Sequence, residues 1–168
     1  MRYVFDTSAV IYLLEKWQLA DKLQKFSRSN ELCIPERVKE EFLSGEVDPP
    51  NVTSLAKTFH VCRVHLDDRL LSFFNHDSFD GAIHVMSYGL RHSNSCCVID
   101  EKFGRDLCEF LTQKMGLRLR FTGTIGILKK MKKSGILSKR DLACIKSGIR
   151  NSRFYCKREL LNELDLPE

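Results

Sequence analysis

Two stretches of this chain share one layout: Tyr3-Val4-Phe5-Asp6-Thr7-Ser8-Ala9-Val10, and later Cys96-Cys97-Val98-Ile99-Asp100. In each, a short apolar run stops at an aspartate, and apolar residues with helical spacing follow. Such a run predicts a buried strand, so both stretches predict a strand, a tight turn and a helix. In the first stretch, Thr7 and Ser8 are the expected N-cap residues of the helix.

The same alternation continues along the chain. Further strands are predicted at residues 32–34, 61–64 and 118–121, and a helix at 36–43 is followed by a loop at 45–51. Asp77 is the expected cap of a helix with the apolar stripe Phe79, Ile83, Met86 and Leu90, whose end Gly89 weakens. More helices are predicted at residues 125–133, 139–147 and 157–164. The pattern indicates an α/β fold, a three-layer α/β/α sandwich with a central parallel sheet. We place this domain at residues 1–122 and a basic helical extension, packed on it, at residues 123–168.

Composition excludes several classes of protein. The chain has 168 residues, of which 43% are apolar and 29% are charged, which is typical of a globular domain. Its seven cysteines form no CxxC pair, so neither a disulfide framework nor a zinc finger is expected. No charge-free stretch is long enough to span a bilayer, and Asp6 interrupts the apolar amino terminus. We therefore expect a cytoplasmic protein that does not enter a membrane.

Positive charge is concentrated in one block. The whole chain has a net charge of +5, but residues 129–158 contain 11 Lys and Arg against the single acid Asp141. This density is the electrostatic pattern of a protein that binds a polyphosphate, although two solvated helix faces would also produce it.

The two strand-end aspartates are the first candidates for chemistry. In an open parallel sheet, ligands bind beyond the carboxyl ends of the strands, where the strand order reverses. If their strands are neighbours, Asp6 and Asp100 meet there, and two close carboxylates favour a hard divalent cation between them. The alternative is that each aspartate only caps a helix.

Two more acids fit the same edge. On the helix at residues 36–43, Glu41 lies about 60° from the apolar residue Val38, while Glu40 lies about 160° away. Glu41 is therefore the candidate, and Glu40 is expected to face water. Asp80 flanks an apolar helix stripe and is the fourth candidate, although an acid in a first helical turn is also common.

The ordered set of acids resembles the motifs of PIN domains. The residues concerned are the first stretch quoted above, Ile34-Pro35-Glu36-Arg37-Val38-Lys39-Glu40-Glu41-Phe42, Asp80-Gly81-Ala82-Ile83 and Val98-Ile99-Asp100-Glu101. The segment from Phe121 to Lys130, with Lys133-Ser134-Gly135-Ile136-Leu137, is similar to the carboxyl-terminal part of one prokaryotic PIN subgroup. The resemblance thus covers nearly the whole chain.

The resemblance implies a metal-dependent ribonuclease, and the family includes the VapC-like toxins of toxin–antitoxin pairs. Carried over by position, the catalytic and metal-binding residues are Asp6, Glu41, Asp80 and Asp100, which would hold Mg²⁺ or Mn²⁺. Thr7 or Ser8 would assist, and Glu101 could share the role of Asp100. The expected partners are RNA, a possible antitoxin and a second copy of the chain.

RNA binding is assigned to four lysines of the basic block: Lys129, Lys130, Lys132 and Lys133. They would neutralise the substrate backbone without reading its sequence.

Two other functions are considered. A haloacid-dehalogenase-like phosphatase also begins with a strand-end aspartate, but it needs a second acid two residues later, where this chain has Ser8. The second is a non-catalytic PIN-like protein that binds RNA or a protein partner. Binding of a divalent metal would distinguish the enzyme from this alternative.

Overall fold

A central sheet of five parallel strands organises the protein, as seen in a computed structural model that describes residues 1–73, 81–150, Phe154, Asn162 and Leu164. The strands are β1 (Arg2–Phe5), β2 (Glu31–Pro35), β3 (His60–Cys62), β4 (Ser95–Val98) and β5 (Phe121–Thr122). They lie in the order β3-β2-β1-β4-β5. The predicted parallel α/β fold is confirmed.

Helices connect the strands. Within the described residues they are α1 (Thr7–Ile11) with a π-helical turn (Tyr12–Lys16), α2 (Ala20–Ser27), α3 (Glu36–Ser44), α4 (Pro49–Thr58), α5 (Asp68–Leu71), α6 (Gly81–Arg91), α7 (Lys102–Gln113), α8 (Thr124–Lys133) and α9 (Lys139–Arg150). None of the helices in this part of the chain has the length and apolarity that crossing a lipid bilayer requires.

The strand order reverses between β1 and β4. From β1 the chain builds outward to β2 and β3, and it then returns to place β4 on the other side of β1. Phe5 pairs with Val98, and the Asp6 amide donates to the Val98 carbonyl at 3.0 Å. Both strands therefore end at one edge of the sheet, at the position where α/β folds bind ligands.

Apolar side chains cover both faces of the sheet. On one face, the Tyr3 ring lies 5.7 Å from the ring of Phe26 in α2 and 5.9 Å from the Lys130 ammonium of α8. On the other face, the Cys97 thiol donates to the Val85 carbonyl of α6 at 3.3 Å. This arrangement buries the central strands almost completely, as expected for a parallel sheet.

Several local predictions were wrong. Asp6, rather than Thr7 or Ser8, caps α1. Helix α2 lies where no element was predicted, and α4 begins inside the predicted loop at residues 45–51, since its two leading prolines occupy positions that need no N–H donor. Strand β3 starts one residue earlier than predicted and ends at Cys62, whereas β5 starts at Phe121, at the end of its predicted range.

Some predictions fall outside the described residues. These are the Asp77 cap, the contribution of Phe79 to the helix stripe and most of the helix at residues 157–164.

Helix α9 is tied to α2 by an ion pair. The Lys22 ammonium donates to the Asp141 carboxylate at 2.7 Å, and Ser138 donates to the same carboxylate through its amide and its hydroxyl. The hydrogen bonds from Lys22, and then those from Ser138, lower the pKa of Asp141 to about 2.

Replacement of Gly89 by alanine is expected to destabilise the fold. A Cβ on Gly89 would lie 2.6 Å from Leu119 Cδ1 and closer still to the Cys97 sulfur. The overlap costs up to about 3 kcal/mol, against about 1 kcal/mol that alanine gains in helix propensity. Urea unfolding would measure the change. As a control, Gly45→Ala should be nearly neutral, since its nearest neighbour would lie at 3.6 Å. An unchanged or increased stability of Gly89→Ala would contradict the packing seen here.

Acid should remove the contribution of Asp141 to stability. Because the folded pKa is lowered, this contribution is complete above the ordinary value near 3.8 and is lost as the pH falls through about 2. We expect Asp141→Asn to cost about 1–2 kcal/mol at pH 6 and much less at pH 2, where about half of the carboxyl groups are protonated. Thermal unfolding across this range would test it, with the exposed Asp106→Asn as control. A cost that does not change with pH would count against the ion pair.

Candidate active site at the carboxyl edge of the sheet

Asp6 and Asp100 meet at the reversal of strand order. Asp6 is 4% exposed and directly follows β1. One of its carboxylate oxygens accepts the Ala9 amide at 2.7 Å, which caps α1, and the other accepts the Asp100 amide at 3.2 Å. The predicted approach of the two strand ends is confirmed, and Asp6 also fills the capping role that we considered as the alternative.

The Asp100 side chain is held by the start of α8. The Thr124 amide donates to one carboxylate oxygen at 2.8 Å, and the Thr124 hydroxyl donates to the other. Burial raises the pKa of the Asp100 carboxyl, while the hydrogen bonds from Thr124 and the charge of Arg105 act in the opposite direction. Within the described residues, no lysine or arginine forms an ion pair with this carboxylate.

Glu41 joins the same edge from α3. Its carboxylate accepts the Thr7 hydroxyl, the Gly81 amide at 3.1 Å and the Arg37 guanidinium at 3.1 Å. The Glu41 side chain is 22% exposed and that of Glu40 is 67% exposed. The choice of Glu41 as the acid beside the apolar stripe is therefore confirmed.

Gly81 makes this approach possible. A Cβ at this position would lie 2.8 Å from the Glu41 carboxylate, 2.8 Å from Val38 and 2.9 Å from the Thr7 hydroxyl. Only a residue without a side chain lets the start of α6 come close enough for its amide to bind Glu41.

The remaining predicted acids are placed differently. Asp80 lies outside the described residues, directly before Gly81 in the chain. Glu101 is exposed at the start of α7 and does not cap it with its side chain. Of the two hydroxyl residues after Asp6, Thr7 contacts Glu41, whereas Ser8 is exposed.

The four lysines lie in the second half of α8, away from the acids. Thr124, the first residue of this helix, contacts Asp100. By contrast, Lys130 lies over the Tyr3 ring, and Lys132 donates to the Leu164 carbonyl at 2.9 Å. At 1.5 Å per residue, the lysines are about 8–14 Å farther along the helix than Thr124.

Two residues at this site were not predicted. Thr124 appears in the sequence analysis only within the segment from Phe121 to Lys130, although its place two residues after a strand beside β4 indicates the same edge. Tyr12 begins the π-helical turn, a distortion that is frequent at functional sites. Burial, and then the charge of Asp100, raises the pKa of Tyr12. Its ring packs against Trp17 and Phe154.

The carboxylate oxygens at this edge are ligands that suit a hard cation. Asp6, Glu41 and Asp100 supply carboxylate oxygens, the ligand type that Mg²⁺ and Mn²⁺ prefer. Each carboxylate already accepts hydrogen bonds, but about four acceptor positions per group leave room for another contact. Among residues 1–73 and 81–150, no three Asp, Glu, His or Cys side chains form a group that could hold one metal ion. The three acids therefore match a metal in ligand type, but as placed here they do not converge on one ion.

Removal of the Thr124 hydroxyl should weaken the fold. Thr124→Val keeps the shape but takes one donor from a buried carboxylate, at a cost of about 2 kcal/mol, whereas Thr124→Ser should retain most of the stability. Thr112→Val is the matched control, because that hydroxyl donates at 2.7 Å to the carbonyl of Cys108, four residues earlier in the same helix. Urea unfolding is the measurement, and equal stability of Thr124→Val and wild type would contradict the observed contact.

The family of this chain follows from comparison with known proteins. A family model described as a PIN domain matches residues 2–165. No match was found among curated proteins or among solved structures. PIN domains are typically nucleases and generally use divalent metals. With a matched family model over almost its full length and the parallel sheet typical of that family, this chain belongs to the PIN-domain family.

Proposed function

We propose that this protein is a divalent-metal-dependent endoribonuclease. The observation that supports it most is the meeting of Asp6 and Asp100 at the reversal of strand order. Glu41 is hydrogen-bonded to Thr7, the residue directly after Asp6. Membership of a nuclease family agrees with this arrangement.

In this proposal Asp6, Glu41, Asp80 and Asp100 hold Mg²⁺ or Mn²⁺. A bound divalent ion lowers the pKa of a coordinated water and neutralises charge on the phosphate oxygens. The residues of the chain orient the acids for this task. Thr124 holds both oxygens of Asp100, and Thr7 and the Gly81 amide hold those of Glu41.

RNA is bound in this proposal by the basic half of α8. Lys129, Lys130, Lys132 and Lys133 would contact backbone phosphates beyond the scissile bond, since they lie away from Asp100 along the helix. These contacts are electrostatic and would make binding dependent on salt.

Glu41→Gln and Asp100→Asn are the cleanest tests of the chemistry. In either variant the new amide can donate to the adjacent threonine hydroxyl, so the fold is retained while one negative charge is lost. Asp6→Asn is less suitable, because its amide group would face the Asp100 N–H, and two donors cannot pair.

We expect both variants to lose Mn²⁺-dependent cleavage of single-stranded RNA by about 100-fold or more, since even residues behind metal ligands contribute 10–100-fold. Glu40→Gln is the matched control, because this exposed neighbour should keep full activity, whereas Glu101→Gln tests the other candidate for the role of Asp100. Gel analysis of a labelled RNA, with and without EDTA, would measure cleavage.

Thermal unfolding provides the second readout of the same test. Mn²⁺ should raise the melting temperature of the wild type but not of Asp100→Asn, because a ligand of the native state stabilises it. A wild type with neither cleavage nor a metal-induced shift would favour the non-catalytic PIN-like alternative. Loss of activity in Glu101→Gln but not in Asp100→Asn would transfer the role to Glu101.

A further inference from the structure

A second concave surface lies at the opposite edge of the sheet from the acids. The first residues of β1, β2, β3 and β4 form its floor, and residues 27–30 and 91–94, at the ends of α2 and α6, form its walls. Its volume is about 770 Å³, which is in the range of small-molecule sites. We call it the amino-edge pocket.

The amino-edge pocket carries excess positive charge. Arg2, Arg28 and Arg91 line it together with the single acid Glu31. Arg2 pairs with Glu31 at 2.6 Å, which cancels both charges. Arg28 is exposed and forms no ion pair within the described residues, and Arg91 uses one N–H to donate to the Leu66 carbonyl at 3.2 Å. Arg28 is thus left to bind an anion, and Arg91, whose charge also acts on Asp67, keeps its remaining N–H groups for one.

Neutral donors and a ring accompany these arginines. Ser29, Asn30 and Ser93 add hydroxyl and amide groups to the lining. The exposed His92 ring packs on Tyr88 with centroids 4.1 Å apart, and Tyr88 in turn accepts a hydrogen bond from Arg2 at 2.8 Å. A ring held in this way offers a flat surface on which a nucleobase can stack.

The basic half of α8 extends toward this edge. Lys130 lies over Tyr3, the residue after Arg2, and the Tyr3 ring contacts Phe26, two residues before Arg28. Positive charge therefore continues from α8 toward the pocket, and a strand of phosphates could be neutralised along this path.

We propose that the amino-edge pocket binds phosphate groups of single-stranded RNA, separately from the acidic edge. Arginine forks, small neutral donors and a stacked ring together suit a nucleotide chain better than an acidic peptide. Four-residue strands separate the two edges by about 13 Å, so RNA in the pocket is not at the scissile position. RNA as the natural ligand rests on the proposed function, whereas the phosphate chemistry of the pocket does not.

Binding of a short fluorescent single-stranded RNA in EDTA tests the proposal without cleavage. We expect the Arg28→Ala/Arg91→Ala double variant to bind about tenfold more weakly than the wild type. The slope of log affinity against log salt should become less steep by about 1.4, since each lost phosphate contact contributes about 0.7. Lys25→Ala/Lys57→Ala is the matched control, because it removes the same two charges from exposed positions outside the pocket.

In the double variant, loss of the hydrogen bond from Arg91 to Leu66 could disturb the fold, so a single variant that keeps Arg91 is also tested. Arg28→Glu reverses a charge at an exposed side chain and should weaken RNA binding while the melting temperature stays unchanged. Competition with AMP shows whether a free mononucleotide binds at the same place as the phosphates of RNA. Displacement of RNA by AMP from the wild type, but not from the double variant, supports a nucleotide-sized site in this pocket.

The proposal is overturned if the double variant and Arg28→Glu bind RNA as tightly as the wild type. It is also overturned if the variants lose binding of an acidic peptide but keep binding of RNA. Metal-dependent cleavage is measured separately. Absence of RNA binding in the pocket would therefore leave the nuclease assignment intact, and RNA binding in the pocket does not require that the protein cleaves RNA.

Discussion

The parallel pairing of β1 with β4 is the constraint on which the rest of this structure depends. It brings Phe5 beside Val98 and ends both strands at one edge. The Asp6 amide then binds the Val98 carbonyl, and the Asp6 carboxylate binds the Asp100 amide. Asp6 and Asp100, which are far apart in the chain, are thereby held in contact by the hydrogen bond from the Asp100 amide to the Asp6 carboxylate.

Buried carboxylates require compensation for lost hydration, and this protein provides it with threonines and backbone amides. Thr124 serves Asp100, while Thr7, the Gly81 amide and an ion pair with Arg37 serve Glu41. Neutral donors stabilise a carboxylate without supplying a positive charge, so Asp100 keeps a raised pKa despite its hydrogen bonds. A nearby cation would therefore favour the ionised form of Asp100.

The two edges of the sheet have opposite character. The carboxyl edge holds Asp6, Glu41 and Asp100, and the amino edge holds arginines that line an open pocket. Helix α8 links the two, since Thr124 contacts Asp100 at one end and Lys130 covers Tyr3 toward the other. The segment that begins at α8 therefore does more than carry charge, because its first residue, Thr124, holds the Asp100 carboxylate.

Much of the fold could be predicted because its signals are local. Short apolar runs that stop at Asp6 and Asp100 predicted the strands, and the spacing around Val38 selected Glu41 over Glu40. Helices α2 and α4 were missed because their apolar positions are few, and because Pro49-Pro50 resembles a loop until a helix is known to start there.

The sequence by itself determined the class of fold, the candidate acids and the concentration of positive charge, because periodicity and composition are properties of neighbouring residues. Only the tertiary structure decided that Thr124 holds Asp100, that the lysines lie away from the acids and that arginines from separate loops share one pocket. These relations depend on strand order and on the direction of α8, which are set by contacts between residues far apart in the chain.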